Sequence, residues 1–404
     1  MGKLKSAFSK NLKQFVMLIT LVVIILFFQV LTKGTLLKPM NVFNLINQNA
    51  YVVVLAAGML VCILTGGNID LSVGSVVAFV GACAGTFMIT WKWDPYLSVL
   101  LCLAIGILIG AWQGFWIAYV RIPAFIVTLS GQLIFRGLTL IVLKGLTLSP
   151  FPKAFMGLST GAIGNFLGFL DPGLGLRNFT SLVIGVLLAA AIVFLELKKR
   201  ADRKRKGYSY DGLGVTLLRA VVIGGALVYF FWLLANYIGA PVVLITVGIV
   251  LMVYSYLTSK TVMGRHLYAV GGNEKAARLS GVKTDQIKFF AYVNMSFLAA
   301  VAGLIFSARL QSSSPQAGIG FELDAIGACF IGGASAYGGI GTVGGTLIGA
   351  LIMGVLNNGM SIMGISIDLQ QVVKGLVLLA AVAFDVISKQ KISLPFLARL
   401  FARR

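Results

Sequence analysis

Charged residues are scarce in this sequence, and acidic residues are the scarcest of them. Only 11% of the 404 residues are charged, with 12 Asp and Glu against 33 Lys and Arg. Soluble domains carry about 25% charged residues, and a soluble chain of this length needs a far more polar surface than this composition provides. The composition therefore excludes an ordinary soluble globular protein.

Histidine and cysteine are also too few to build a catalytic or metal-binding constellation. The single histidine, His266, lies in a polar connection, where it is interpreted as a surface residue. No Ser-His-Asp or Cys-His arrangement and no His-rich metal site can be assembled within the apolar runs. The four cysteines match no metal or disulfide framework and are interpreted as small packing residues: Cys62, Cys83, Cys102 and Cys329. We therefore predict no catalytic residue, no metal, no cofactor and no enzymatic activity.

Long apolar runs are what the sequence has in abundance, since 58% of its residues are hydrophobic. About 20 apolar residues cross a hydrocarbon core of about 30 Å as a helix, and helices satisfy their own backbone groups in lipid. The sequence predicts an all-α, polytopic transmembrane bundle with ten to twelve spans, because the tenth and eleventh candidates could also be re-entrant. The twelve candidates lie near 14–31, 50–65, 71–90, 97–119, 124–143, 181–197, 213–235, 241–258, 289–307, 323–338, 343–361 and 369–387.

The net charge of +21 is distributed as a membrane topology rather than as a nucleic-acid surface. With the N-terminus inside, 23 of the 33 Lys and Arg fall in cytoplasmic segments and seven in external loops, and such a bias sets orientation during insertion. Both termini are therefore predicted to be cytoplasmic, with no nucleic-acid partner. We expect one permease-like domain over 1–404, with a first half at 14–197, a basic loop at 198–212, and a second half at 213–387 that contains a cytoplasmic loop at 259–288.

The basic cluster at 198–206 leaves two interpretations open. It contains seven Lys or Arg residues within nine positions. It is either a binding site for anionic membrane lipid or an anchor that fixes the cytoplasmic end of the sixth span.

Glycine-rich breaks interrupt two of the apolar runs. In one of them, Asp70 or Ser72 follows Gly66-Gly67 and is suited to cap the next helix; the alternative is that this polar break lines a transport route. A second break follows Cys329 and resembles the first, as expected of duplicated discontinuous helices, although apolar glycine-rich helices also look alike by chance. Arg136 and Lys374 lie deep within predicted spans, where they are expected to pair with carboxylates or line the route.

A short capped helix is predicted in the cytoplasmic loop at 259–288. Asn273 is a good N-cap, Glu274 suits the first turn, and Gly281 suits the position after the helix. The helix would have about seven residues and a length of about 10 Å. It is interpreted either as an ordinary solvated connector or as a projection that docks into a partner.

Four motifs resemble the ribose/xylose-type permease subunits of bacterial ABC sugar importers. They appear in order and extend over most of the chain, and the length and basic insert resemble the xylose and multiple-monosaccharide branch. The four motifs are Asn68-Ile-Asp-Leu-Ser-Val-Gly-Ser75, Tyr268-Ala-Val-Gly-Gly-Asn273 through Ala276-Ala-Arg-Leu-Ser-Gly281, Gly320-Phe-Glu-Leu-Asp-Ala-Ile326, and Gly344-Gly-Thr-Leu-Ile-Gly-Ala-Leu with Leu356-Asn-Asn-Gly359.

The resemblance implies a multi-pass protein of the bacterial cytoplasmic membrane that imports a monosaccharide, a pentose or a hexose. Its partners would be two cytoplasmic ABC ATPase subunits, an external sugar-binding protein and a second permease copy or homologue. The chain lacks a Gly-x-x-x-x-Gly-Lys-[Ser/Thr] phosphate loop, which fits ATP hydrolysis by a separate subunit. By resemblance, the segment that couples to the ATPase comprises Gly271, Gly272, Asn273, Glu274, Ala277, Arg278 and Gly281.

Two further sets of residues are candidates within this framework. Glu322 and Asp324 are expected at the outer end of the tenth span, where they either cap a helix or meet the binding protein. The candidates for the substrate route are polar residues among apolar ones: Asn47, Gln48, Asn49, Asn68, Asp70, Ser72 and Asn357.

Three rival functions remain at this point. An ion-coupled secondary transporter needs buried carboxylates, of which the spans hold few. A membrane-embedded enzyme needs a catalytic cluster, which is missing. Related permeases carry a furanose signalling molecule, nucleosides or other small solutes, and the sequence does not choose among these substrates.

Overall fold

The computed structural model describes residues 12–390 except 158, 209 and 211. Within this part the secondary structure is helical, apart from two isolated β-bridges. A π-helical segment, Thr86–Thr90, extends α3, and a 3-10 turn, Gly168–Leu170, lies in the longest loop. The α-helices are α1 (Leu12–Leu31), α2 (Pro39–Leu64), α3 (Val73–Gly85), α4 (Pro95–Ala118), α5 (Ala124–Leu143), α6 (Lys153–Met156), α7 (Phe179–Arg205), α8 (Leu213–Ala235), α9 (Val243–Lys260), α10 (Val262–Gly272), α11 (Glu274–Leu279), α12 (Thr284–Leu310), α13 (Phe321–Ile331), α14 (Val343–Ile362) and α15 (Ile367–Gln390).

Ten of the described helices are long and apolar enough to cross a membrane. The apolar part of α1, Val16–Leu31, is shorter. This confirms the predicted all-α transmembrane bundle. The predicted tenth span at 323–338 is a half-length helix: α13 has 11 residues, or about 16 Å at 1.5 Å per residue. Gly332 and Gly333 end it, the latter at a positive φ of 81°. The predicted cytoplasmic location of the termini concerns residues 1–11 and 391–404, which lie outside the described part.

Two long helices, α2 and α12, form the centre of the bundle. Every residue of α2 from Asn49 to Leu64 is buried, and α12 packs against α2, α3 and α4. Glycines permit the closest of these approaches: a Cβ on Gly110 of α4 would lie 2.6 Å from the Cα of Val293 in α12. The four cysteines are buried and unbridged, which confirms their interpretation as packing residues.

Two helices begin near the middle of the bundle rather than at its surface. Helix α3 runs parallel to α12, with Gly303 of α12 packed on Val77, so α3 begins about 20 Å along the roughly 40 Å length of α12. Helix α13 begins at Phe321, whose ring stacks at 3.9 Å on Tyr51, halfway along α2. The two starts touch, since a Cβ on Gly74 would lie 2.1 Å from the carbonyl oxygen of Gly318. The predicted discontinuous glycine-rich helices are therefore present.

The helical hairpin formed by α7 and α8 lies at the periphery. Its two helices pack on each other through Gly185 against Phe231 and through Gly224 against Ala189. Its contact with the bundle lies near the end where α7 begins, through a small apolar cluster in which Phe231 and Leu234 meet Val42 of α2. Beyond Ala189, no described residue of α7 is buried.

Candidate functional site

The segment between α9 and α12 consists of two short helices rather than one. Helix α10 follows α9 directly, with Thr261 accepting a hydrogen bond from the Gly264 N–H, and this helix was not predicted. Helix α11 begins after Asn273, whose side-chain oxygen accepts from the Ala276 N–H at 3.0 Å. The N-cap prediction is thus confirmed, and α11 has six residues where about seven were expected.

The end of α11 has the hydrogen-bond pattern of a Schellman motif. The Val282 N–H donates to the Ala277 carbonyl oxygen and the Gly281 N–H to that of Arg278, both at 3.0 Å. Gly281 adopts φ +85°, a left-handed conformation that favours glycine, which confirms the prediction made for this position. The turn reverses the chain directly into α12.

Ion pairs fix α11 to the start of α12. Lys288 lies 2.7 Å from Glu274, and Arg278 lies 3.1 Å from Asp285. Arg278 also donates to Thr284 Oγ1 at 2.9 Å. Surface ion pairs contribute little singly, about 0–1 kcal/mol, but together these contacts define one orientation of α11.

Leu279 is the most exposed large hydrophobic side chain described. It ends α11 and is 90% exposed, whereas Ala277 on the same helix is buried. A groove of about 680 Å³ lies beside α11, bounded on its other side by the α4–α5 connection. Polar, charged and apolar residues line this groove, among them Asn68, Arg121, Pro123, Asn273, Lys275 and Lys288.

Three chain segments meet through backbone atoms at the end of the bundle that carries α10 and α11. A Cβ on Gly271 would lie 1.9 Å from the carbonyl oxygen of Leu64 and 2.4 Å from the N of Gly339. A Cβ on Gly338 would lie 2.4 Å from the Cα of Gly66. The Gly339 N–H also donates to the Leu64 oxygen at 3.2 Å. We call these five residues, Leu64, Gly66, Gly271, Gly338 and Gly339, the glycine junction.

The glycine junction connects α10 to both of the breaks that the sequence indicated. One break, 65–72, follows α2, and the other, 332–342, follows α13. The Tyr268 hydroxyl donates to the Gly341 carbonyl oxygen at 2.8 Å, and burial raises the pKa of this phenol, so it keeps its proton. Because the contacts of the junction are made by backbone atoms, its three segments are closely constrained with respect to one another.

The first break is held by a buried polar network. Asp70 Oδ1 accepts from the N–H and the hydroxyl of Ser72 at 2.8 and 2.7 Å, and Gln113 donates to the Ser72 hydroxyl at 2.7 Å. Asp70 and Ser72 are 0% exposed, while Asn68 donates to Thr65 and borders the groove beside α11. Ser72 is the N-cap residue of α3, but no side chain accepts from a free N–H of the helix, so the predicted capping hydrogen bond is absent and the network holds the break itself.

Two of the predicted route residues, Gln48 and Asn49, lie at a polar seam between α2 and α14. Asn358, which was not predicted, exchanges hydrogen bonds with Asn41 at 2.8 and 3.2 Å and lies 3.5 Å from Gln48. Asn49 fills the space beside Gly354. The Oδ1 atoms of two predicted residues are buried without a hydrogen-bond partner: Asn47 and Asn357.

The two basic residues deep in the bundle, Arg136 and Lys374, bind around the start of α13. Arg136 donates to the carbonyl oxygens of Pro315 and Ala317 at 2.8 and 2.7 Å. Lys374 of α15 lies 2.9 Å from Asp324, which also accepts from the Tyr51 hydroxyl at 3.1 Å. The expected pairing with a carboxylate is thus confirmed for Lys374.

Glu322 and Asp324 lie at mid-height rather than at the outer end of a span. Asp324 is only 1% exposed, and Glu322 lies 3.5 Å from Gln132 of α5. Since α13 starts inside the bundle, these carboxylates are not presented to an external protein in this structure. Within residues 12–390, where described, no group of three or more His, Cys, Asp or Glu could hold a metal ion.

Comparison with known proteins places the chain among transport permeases. Residues 41–382 match the family described as the permease component of the branched-chain amino acid transport system. The chain belongs to this permease family. No solved structure matches it.

Named relatives cover nearly the whole permease. It is 38% identical over 387 residues to the xylose transport system permease protein XylH of Escherichia coli (strain K12), covering 95% of this chain and 94% of the relative. It is 38% identical over 391 residues to XylH of Haemophilus influenzae, covering 97% and 100%. It is 36% identical over 345 residues to the ribose import permease protein RbsC of Escherichia coli (strain K12), covering 85% of each. These findings confirm the resemblance stated from the motifs and the expectation that the protein is a permease rather than an enzyme.

Sequence reasoning missed Asn41 as a candidate, and of the adjacent amides Asn357 and Asn358 it selected only Asn357. The identity of a helical amide does not reveal which helix it faces. An available signal was the pair Asn357-Asn358 itself, since two adjacent amides within an apolar run require partners on two faces.

Proposed function

We propose that this permease is the membrane subunit of an ABC importer that carries a monosaccharide into the cytoplasm, with a pentose such as xylose as the first candidate. The observation that carries the proposal is the 38% identity to xylose permeases over almost the full length of both chains. The capped α11 and the glycine junction support it, because an importer driven by a separate ATPase needs a rigid element that receives the motion.

We infer that the end carrying α10 and α11 faces the cytoplasm. At this end the segments 120–123, 198–212 and 259–288, which include the adjoining helix ends, hold 14 Lys and Arg, and at the opposite end the segments 32–38, 91–94, 144–178 and 309–320 hold seven. Such a bias is retained on the cytoplasmic side during insertion. A permease oriented in this way presents α11 to two cytoplasmic ATPases and its opposite face to a sugar-binding protein, with a second permease copy completing the route.

Helix α11 is the proposed contact with the ATPase. Leu279 is the anchor, because an exposed large apolar side chain on a fixed helix fills a partner's pocket at low entropic cost. The ion pairs of Glu274 and Arg278 hold α11 in the orientation that the ATPase would receive. Asn273 and Gly281 define its two ends, so that the projecting surface is short and rigid.

The glycine junction is the proposed transmission element. A displacement of α10 by the ATPase presses directly on the end of α2 and on the break at 332–342, because backbone atoms are in contact at Gly271. The break at 65–72 would follow, since Gly66 is packed against Gly338. The first break leads to α3 and the second joins α13 to α14, which packs against α2. Alternating access would then arise from movement of these discontinuous helices.

The seam between α2 and α14 is the proposed outer part of the route. Sugar hydroxyls donate and accept hydrogen bonds, and amides offer both capacities. Gln48 is exposed beside Asn358, and the buried, unpartnered oxygens of Asn47 and Asn357 would become acceptors when the helices move apart. Asn49 supports the seam, and the network of Asp70 and Ser72 holds the break that moves.

Uptake by the reconstituted importer tests the proposal. The permease is combined with its ATPase and binding protein in cells lacking their own pentose permease, and uptake of radiolabelled xylose, ribose and galactose is measured. We expect xylose uptake that disappears with an ATPase variant unable to hydrolyse ATP and that persists when an ionophore collapses ion gradients. Uptake that follows the ion gradient and ignores the ATPase variant would show a secondary transporter instead.

A pair of variants tests the docking of α11. Leu279→Asp is expected to reduce co-purification of the ATPase at least tenfold, while the thermal stability of the permease stays unchanged because the side chain is exposed. Leu146→Asp, at a leucine of the opposite end that is 65% exposed, is the control and should leave association intact. Full ATPase binding by Leu279→Asp would remove α11 from the interface.

A further inference from the structure

A dense basic cluster ends the peripheral hairpin of α7 and α8. Positions 198–206 hold seven Lys or Arg and one acidic residue, Asp202. The side chains from Asp202 to Lys206 are all exposed. Glu196, which precedes the cluster, pairs with Arg219 at 2.7 Å and lies 3.9 Å from Lys199, while the exposed stretch from Arg203 to Lys206 carries four positive charges in succession.

The cluster lies at the depth of lipid headgroups. The apolar part of α7, from Phe179 to Leu197, spans about 28 Å at 1.5 Å per residue, which matches a hydrocarbon core of about 30 Å. The remaining turns, from Lys198 to Arg205, extend α7 about 12 Å further. Tyr208 and Tyr210 follow with 65% and 45% exposure, and tyrosine is typical of the membrane interface.

The described part of the bundle does not cover this end of the hairpin. The contacts of α8 with α2 lie near Phe231 and Leu234, at the opposite end. Close to the cluster the flanking side chains are large, apolar and exposed, among them Phe194, Leu195 and Leu218. The basic cluster is therefore joined to two lipid-facing helices and separated from the packed bundle.

We propose that the cytoplasmic end of the α7–α8 hairpin is a binding site for anionic phospholipid, of the phosphatidylglycerol or cardiolipin class. Arg supplies paired donors that fit a phosphate, and Lys supplies a mobile point charge. The guanidinium of Arg200 lies 5.4 Å from the centre of the Tyr210 ring, which orients one side of the site. Near an anionic surface, each basic side chain strengthens binding on the order of fivefold.

A lipid occupant fits these observations better than an acidic protein. Phosphate groups are necessarily present at this depth around any membrane helix, and the adjoining faces are apolar, as acyl chains require. A folded acidic partner would have to reach into the headgroup layer to meet Lys198 and Lys199. The proposal does not depend on which solute the permease transports.

Lipid binding to the intact purified permease tests the inference. Native mass spectrometry counts lipids retained during titration with cardiolipin, phosphatidylglycerol or phosphatidylcholine. The test variant carries Arg203→Gln, Lys204→Gln, Arg205→Gln and Lys206→Gln. The control carries the same charge change at the opposite end through Lys92→Gln, Lys144→Gln, Lys153→Gln and Arg177→Gln.

We expect the unmodified permease and the control to prefer anionic lipid over phosphatidylcholine at least tenfold, and the test variant to lose this preference. All substituted side chains are exposed, so unchanged elution from a sizing column verifies folding. Retained preference in the test variant would overturn the proposal, as would an equal loss in the control. Loss of ATPase association with unchanged lipid binding would overturn it in favour of an acidic protein partner.

Discussion

Substitution of Gly271 by alanine tests whether the glycine junction transmits motion. The new Cβ would lie 1.9 Å from the Leu64 carbonyl oxygen, whereas ordinary contact begins at 3.4 Å. The difference requires a displacement of about 1.5 Å between α10 and the end of α2. No flexible side chain lies at this point, so the backbone itself must move.

The expected energetic effect is moderate and the expected functional effect is large. Overpacking costs about 1–3 kcal/mol, and the hydrogen bond from Gly339 to Leu64 contributes about 0.5–1.5 kcal/mol. The permease should therefore fold with reduced stability. Sugar uptake should fall at least tenfold because α10 no longer bears on both breaks, while α11, whose surface is unchanged, still binds the ATPase.

Gly272 provides the matched control, because a Cβ at that position meets nothing within 4 Å. Gly272→Ala should retain uptake within about twofold, since an exposed glycine-to-alanine change carries only a small propensity effect. The assay compares uptake, ATPase stimulation by the binding protein and ATPase co-purification for both variants. Normal uptake in Gly271→Ala, or equal damage in Gly272→Ala, would refute the reasoning.

Three further predictions follow from the described contacts. Lys374→Met leaves Asp324 buried without its cation and should cost about 3–5 kcal/mol of stability, seen as a lower melting temperature in detergent. Adding Asp324→Asn should recover most of this loss, and an equally low melting temperature in the single and double variants would contradict an ion pair. Arg278→Ala should change the stability of the permease by less than about 1 kcal/mol but reduce the stimulation of the ATPase by the binding protein. Normal stimulation in this variant would contradict the prediction. Gly74→Ala should lower the melting temperature because its Cβ would lie 2.1 Å from a backbone oxygen. Gly344→Ala should not lower it, because a Cβ there meets open space. Identical melting temperatures for the two variants would contradict the close contact between the two helix starts.

The span boundaries show where local reasoning loses information. The second span was expected from residue 50, but α2 begins at Pro39. The five amide side chains from Asn41 to Asn49 lower the apparent hydropathy of this stretch. Their compatibility with a helix depends on partners in α14 and on carbonyl oxygens one turn earlier. A hydropathy pattern does not contain those partners.

The caps of α11, in contrast, could be predicted from the local sequence. Asn273 and Gly281 act through atoms within five residues of themselves, so their roles follow from residue type and spacing. The helix α10 immediately before was missed because its buried positions, Leu267 and Val270, form a short stripe among polar residues. Their burial depends on the segments against which α10 packs.

The sequence by itself determined the class of protein, the approximate number of spans, the two glycine-rich breaks and the capped helix. Each of these depends on apolar length, charge distribution or contacts within a few residues, all of which are local properties. The tertiary structure alone decided that Gly271 touches both the end of α2 and the second break, that α13 begins at mid-height and that Lys374 pairs with Asp324. These are contacts between residues tens to hundreds of positions apart, and they depend on how the helices pack rather than on any single segment.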